Sequence, residues 1–136
     1  METKFYHCQV CGNVIIKLVD SGQVPTCCGK PMEELVPNTT EGKVEFHLPM
    51  VVHYDRCSLK VCVGKQPHPM TTEHSIRFIY IETATGGHII NLRPGHPAEV
   101  TVSTAECPKA IYAYCNLHGL WKTVIPNCTD SFVKDW

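Results

Sequence analysis

Four cysteines stand within the first 32 residues, as Cys8-Gln9-Val10-Cys11 and then Cys27-Cys28. Two thiols spaced by two residues can face one metal ion, and Gly12 behind them permits the turn this requires. The second pair completes four soft donors, the set that holds iron or zinc in a tetrahedron. Two neighbouring cysteines on one metal demand an unusual backbone and predict a distorted tetrahedron. A thioredoxin-like redox pair fits less well, because no strand–helix–strand pattern surrounds the knuckle. A purely structural zinc staple stays open beside an iron centre. Some staple is needed: the run Val36-Pro37-Asn38-Thr39-Thr40-Glu41-Gly42 punctuates rather than propagates structure and marks a domain boundary. The segment before it, residues 1–36, is too short to be held by an apolar core alone.

The chain has 136 residues, with nine Cys and eight His. An odd cysteine count argues against a fully paired disulfide set. No apolar segment follows Met1 in the manner of a signal peptide, and no run approaches the roughly 18 residues of a membrane span. The expectation is a cytoplasmic protein in a reducing compartment, where clustered cysteines are read first as metal ligands. The formal net charge of −1 gives no footprint for nucleic acid or an anionic membrane. With 43% hydrophobic and 18% charged residues, the chain can build a core and is not expected to be disordered.

Beyond residue 36 the pattern is mainly β. Ser75–Glu82 is dense in β-branched and aromatic residues, and Leu59–Val63, His88–Leu92, Glu99–Ser103, Ala110–Cys115 and Leu120–Ile125 read as further strands. Pro, Gly and Asn clusters separate them, which predicts an antiparallel sandwich or barrel. No stretch holds helical apolar periodicity over three turns.

The histidines concentrate in this second region. His47, the pair His68 and His74, and His118 with Cys115 each lie in a Pro- or Gly-bounded turn beside a predicted strand. Turns at one end of a sandwich are close in space, so these donors can converge. Four neutral imidazoles and a thiolate suit a ferrous ion. His7, His53, His88 and His96 are read as ordinary hydrogen-bonded imidazoles.

Taken together these segments resemble the desulfoferrodoxin family, the two-iron superoxide reductases, over nearly the whole chain. Tyr6-His7-Cys8-Gln9-Val10-Cys11-Gly12-Asn13 and Cys27-Cys28-Gly29-Lys30-Pro31-Met32 are similar to the desulforedoxin-type domain. Glu45-Phe46-His47-Leu48-Pro49, then His68-Pro69-Met70 with His74, then Cys115-Asn116-Leu117-His118-Gly119-Leu120-Trp121-Lys122 match the superoxide reductase domain in order and approximate spacing. The resemblance implies a desulforedoxin-like iron domain at 1–36, with ligands Cys8, Cys11, Cys27 and Cys28. It implies an immunoglobulin-like antiparallel β-sandwich at 37–136 carrying the catalytic iron. That iron has four equatorial imidazoles, His47, His68, His74 and His118, and an axial thiolate, Cys115. Glu45 takes the sixth position after oxidation. The implied activity is one-electron reduction of superoxide to hydrogen peroxide with two mononuclear non-haem irons per chain, zinc being possible at the four-cysteine site. A rubredoxin-like electron donor and a homodimer complete the expectation.

One position departs from the family, which commonly has Lys where this chain has Phe46. A ring neither attracts an anion nor delivers a proton. Either another cation (Lys43, Lys65 or Lys122) supplies the field, or solvent supplies protons and capture is slower, or activity is much reduced. The rival readings are a non-catalytic iron or zinc metalloprotein or electron carrier, and a dismutase that would also oxidise superoxide. Cys57, Cys62, Cys107 and Cys128 are read as small buried hydrophobes. Trp121 is expected to pack in the core beside the His118 turn, Met50 and Met70 to pack only, and Lys122 to be a solvated charge.

Overall fold

In a computed structural model the chain divides into two compact units, Met1–Val36 and Pro37–Trp136. The structure describes residues 2–40, 42, 44–54, 58–103 and 106–125 (for His53, the backbone only).

The first unit contains β1 (Phe5–His7), β2 (Val14–Ile16), β3 (Thr26–Cys27), β4 (Lys30–Pro31) and β5 (Glu33–Glu34). Strands β2, β1 and β5 form one antiparallel sheet, and β3 pairs with β4 as a hairpin. Its buried cluster is Tyr6, Cys8 and Met32, with Cys27 packed against it. Strands of two or three residues are too short to show alternation, so none was legible in the sequence.

The second unit begins with a single helical turn, α1 (Val44–His47), followed by β6 (Pro49–Tyr54), β7 (Leu59–Val63), β8 (Ile76–Glu82), β9 (Gly87–Asn91), β10 (Glu99–Val102), β11 (Ala110–Cys115) and β12 (Gly119–Val124). Two antiparallel sheets result, in the orders β10-β7-β6 and β12-β11-β8-β9. Strand β7 alternates as its sequence requires: Leu59, Val61 and Val63 point inward, while Lys60 and Cys62 are half-buried on the other face. They meet Ile76, Ile79 and Ile81 of β8 and Ile111, Ala113 and Cys115 of β11 in one core. Fully burying an aliphatic side chain of this kind contributes about 1.5–3 kcal/mol. Thr123 of β12 donates its hydroxyl to the Pro49 carbonyl at 2.6 Å and ties the sheets together. The architecture is the mainly β, antiparallel sandwich expected.

Three expectations need correction. Strand β6 was not foreseen, because Pro49 opens it and the His47-Leu48-Pro49 run reads as a turn. Cys107 is not a free buried thiol but is disulfide-bonded. Cys62 is not core: it faces outward, and its thiol lies 3.4 Å from a Glu99 carboxylate oxygen. Burial and the facing carboxylate push that thiol above its ordinary pKa. Cys57 and Cys128 lie outside the described residues.

Candidate metal centres

In the first unit the Cys8–Cys11 knuckle is held by its own backbone. The Gly12 amide donates to the Cys8 carbonyl at 2.9 Å, the Cys8 amide to Asn13 at 2.8 Å, and the Cys11 amide reaches the Cys8 sulfur at 3.5 Å. Gly12 takes a φ of +84°. Opposite, Cys27 pairs with Lys30, so Cys28 and Gly29 form a two-residue hairpin loop. Both have positive φ, 54° and 74°, the primed turn that matches strand twist and usually has Asn-Gly at its centre. This is the unusual backbone that adjacent cysteines require. The four sulfurs lie within 4.8 Å of one another, with Cys11–Cys27 at 3.6 Å and Cys27–Cys28 at 3.9 Å. A metal–sulfur bond of about 2.3 Å places tetrahedral sulfurs about 3.8 Å apart, so the spacing fits one ion. The Cys11 amide draws the Cys8 thiol down to about 6, whereas Cys28, crowded first by Cys11, is pushed up to about 12. Four thiols in one place share protons until a cation replaces them.

In the second unit His47, His68, His74, Cys115 and His118 bring one donor atom each to within 4.8 Å of the others. The imidazoles close a ring. Neighbouring centroids are 4.8 Å (His47–His68), 4.7 Å (His68–His74), 5.1 Å (His74–His118) and 4.7 Å (His118–His47) apart. The planes are inclined by 66–80°, edge to face. His47 Nε2 and His118 Nδ1 are 3.0 Å apart, the separation of adjacent donors each about 2.1 Å from one ion. Cys115 Sγ is 3.6 Å from His118 Nδ1. Such a set gathers four imidazoles and one thiol around a single point.

Protonation supports the fit. His68 donates Nδ1–H to the Pro69 carbonyl at 2.7 Å, so its Nε2 carries a lone pair. That Nε2 and the Nε2 of His74 are buried without a hydrogen-bond partner, a costly state unless a cation meets them. Burial lowers the pKa of both, His68 to about 4. Neutral imidazoles facing one point are ready ligands. Burial also raises the Cys115 thiol, against the opposing amides of Leu117 and His118. A metal binding here therefore displaces that proton.

Local structure places each donor. Cys115 ends β11 at a bulge, where the register with β8 shifts between Tyr114 and Cys115 and re-aims the side chain. His118 sits in the tight turn to β12, closed by Gly119 at φ +77°, where a Cβ would lie 2.5 Å from Thr40 Oγ1. Trp121 stacks on the His47 ring at 5.0 Å and donates its indole N–H to the His118 carbonyl at 2.9 Å. The His68 loop is anchored to α1, because the Lys65 and Gln66 amides both donate to the Glu45 carbonyl at 2.6 and 3.1 Å. Gly64 allows this approach: a Cβ there would lie 2.6 Å from the Phe46 backbone. Thr71 was missed by sequence reasoning. Its hydroxyl accepts the His74 amide at 3.0 Å and donates to the His74 carbonyl at 3.2 Å. Its place three residues before a histidine was the only signal.

A cleft of about 330 Å³ opens onto the imidazoles, lined by Gly42, Phe46, His47, His68, Pro69, His74 and His118. Glu45 does not join them. It is exposed and lines a neighbouring depression with Leu48, Met50 and Lys65. Lys122 lies over the Tyr112 ring at 5.2 Å, and Lys65 is exposed beside Glu45. Neither lysine lines the cleft, and Lys43 falls outside the described residues. His88 and His96 are exposed, away from the cluster.

A family model described as Desulfoferrodoxin matches residues 39–124. A desulfoferrodoxin from Syntrophotalea carbinolica is 35% identical over 90% of this chain and 96% of its own length. A superoxide reductase from Pyrococcus furiosus is 32% identical over 61% of this chain and 89% of its own. The crystal structure of the superoxide reductase from Treponema pallidum superposes with a TM-score of 0.75 at 28% identity, covering 90% of this chain and 99% of that one.

Proposed function

The chain belongs to the desulfoferrodoxin family, and from that premise we propose that it is a superoxide reductase carrying its catalytic centre on His47, His68, His74, His118 and Cys115. The donor sets are consistent with two mononuclear iron centres, the second held by Cys8, Cys11, Cys27 and Cys28. The carrying observation is the closed ring of four imidazoles, two of them with buried, unpartnered Nε2 atoms, beside a buried thiol. Residues 1–36 form the desulforedoxin-like domain in this reading, and 37–136 the catalytic one.

The five residues would hold a ferrous iron, which would supply the one electron that superoxide takes up. The protein's part is to keep the imidazole ring reachable and to set the charge around it. The cleft leads to the imidazole ring, so a diatomic anion can enter. Cys115 is fixed by the bulge and by the amides of Leu117 and His118, which direct N–H dipoles at its sulfur. Converting superoxide to hydrogen peroxide takes one electron and two protons. Among the described residues no carboxylic acid or amine lines the cleft, and this reading takes the protons from water. In this reading Glu45 would be the sixth ligand of the oxidised centre; its exposed side chain lines the adjacent depression. Re-reduction by a rubredoxin-like carrier, a homodimer and a cytoplasmic location belong to the same proposal.

The test is metal analysis followed by rapid mixing of the reduced protein with superoxide. Two irons per chain, loss of the ferrous state within the mixing reaction, and peroxide without dioxygen are expected. Dioxygen formed alongside peroxide would mark dismutation. Iron that stays ferrous would mark a non-catalytic metalloprotein, the outcome in which Phe46 has closed the route for the anion.

A further inference from the structure

Asn116 follows Cys115 directly, and its side chain reaches back across the sheet end to the His74 turn. Its Oδ1 accepts the Ser75 amide at 2.9 Å, and its Nδ2 donates to the Glu73 carbonyl at 2.7 Å. Its own amide donates to the Ser75 carbonyl at 3.3 Å. Only this orientation of the carboxamide satisfies both partners, since the amide N–H needs an acceptor and the carbonyl a donor. The two bonded peptide groups are those on either side of His74. Among the described residues no hydrogen bond reaches the His74 ring itself, whereas the His68 ring is pinned through Nδ1 to Pro69. Apart from its edge-to-face contacts with His68 and His118, the His74 ring is therefore positioned through its backbone, and the side chain holding that backbone belongs to the residue next to the thiol.

We propose that Asn116 is a positioning residue that fixes His74 relative to Cys115 and His118, so that three of the five donors keep one geometry. This rests on the reading of the five residues as a metal site. One carboxamide spans the two turns; without it, Thr71 still holds His74 locally and the Asn116 amide still meets the Ser75 carbonyl, but the two side-chain bonds that grip the peptides flanking His74 are lost. Groups that orient a ligand from outside typically change metal affinity by about 10- to 100-fold when removed.

The experiment uses the full iron-loaded chain. Iron retention at the histidine–cysteine centre is measured against a competing chelator, together with the thiolate-to-iron charge-transfer band, in wild type, Asn116→Ala and Asn116→Asp. The alanine variant should hold this iron about 10- to 100-fold less tightly and shift the band, while the four-cysteine centre keeps its spectrum. Asn116→Asp keeps the shape and the acceptor but places a carboxylate oxygen against the Glu73 carbonyl. It should fall between the two. Wild-type retention and an unshifted band in Asn116→Ala would overturn the inference; should that variant not fold, wild-type behaviour of Asn116→Asp would do so. A wild-type protein that holds no metal at these five residues would instead overturn the reading beneath it.

Discussion

Phe46 sets the electrostatics of the cleft. It is half-buried among four imidazoles, and among the described residues no cationic side chain shares that lining. Long-range attraction of an anion depends on local positive charge and weakens with salt. Capture of superoxide should therefore vary little with ionic strength in the wild type. Phe46→Lys should raise the second-order rate several-fold at low salt and make it fall as salt is added, measured by rapid mixing. A steep salt dependence already present in the wild type would place the steering charge elsewhere, with Lys43 the remaining candidate. His68 carries a second prediction. Its folded pKa, pushed down to about 4 by burial, lies below the ordinary 6.5. The unfolded chain takes up this proton first as the pH falls, so the stabilisation is complete above about pH 6.5 and is lost towards pH 4. The metal-free protein should show a urea midpoint that drops across this window, and the drop should be smaller in His68→Asn. Equal slopes in the two proteins would remove His68 as the cause.

Between elements, contacts of backbone on backbone hold the donors in place. At Gly64 a left-handed φ of 78° coincides with a close approach to the Phe46 backbone. Gly64→Ala adds about 1–2 kcal/mol of conformational cost and a clash that only movement of α1 or of the His68 loop relieves. It should lower the thermal midpoint by several degrees and loosen iron at the histidine–cysteine centre, read by calorimetry and chelator competition. Strands were legible where the sequence is dense in β-branched and aromatic residues: β7 and β11 begin and end where expected, and β8, β9, β10 and β12 differ by one residue at one or both ends. The exceptions have physical reasons. A proline-led strand such as β6 looks like a turn, and one turn of helix such as α1 carries no periodicity. The pairing of Cys107 depends on long-range geometry that spacing does not encode. The five donors were nameable because their types suit one ion, and the structure brings all five together. That Glu45 points into a different depression is set by α1, and so was not legible.

Across the whole molecule the two units depend on metal to different degrees. Residues 37–136 have a two-sheet core, whereas the first unit buries little more than Phe5, Tyr6, Cys8 and Met32. Cys28 in a left-handed conformation adds a local cost that metal ligation would offset. Removing the metal from the four-cysteine site should unfold the first unit while the sandwich keeps its structure. Amide spectra recorded during chelation would show signals of residues 2–36 collapsing to random-coil positions first. Simultaneous loss of both sets would show a single cooperative unit instead. Strand β11 lies between two neighbours and is buried along its entire length. Its amides should be among the last to exchange with deuterium, opening only when the sandwich unfolds globally. Cys115, at the end of that strand, is thus attached to one of the slower clocks in the protein, and His47, on a single helical turn, to a faster one. The residence time of the ion should follow the opening of α1, so a variant that stabilises the sandwich alone would melt later and release its iron no more slowly.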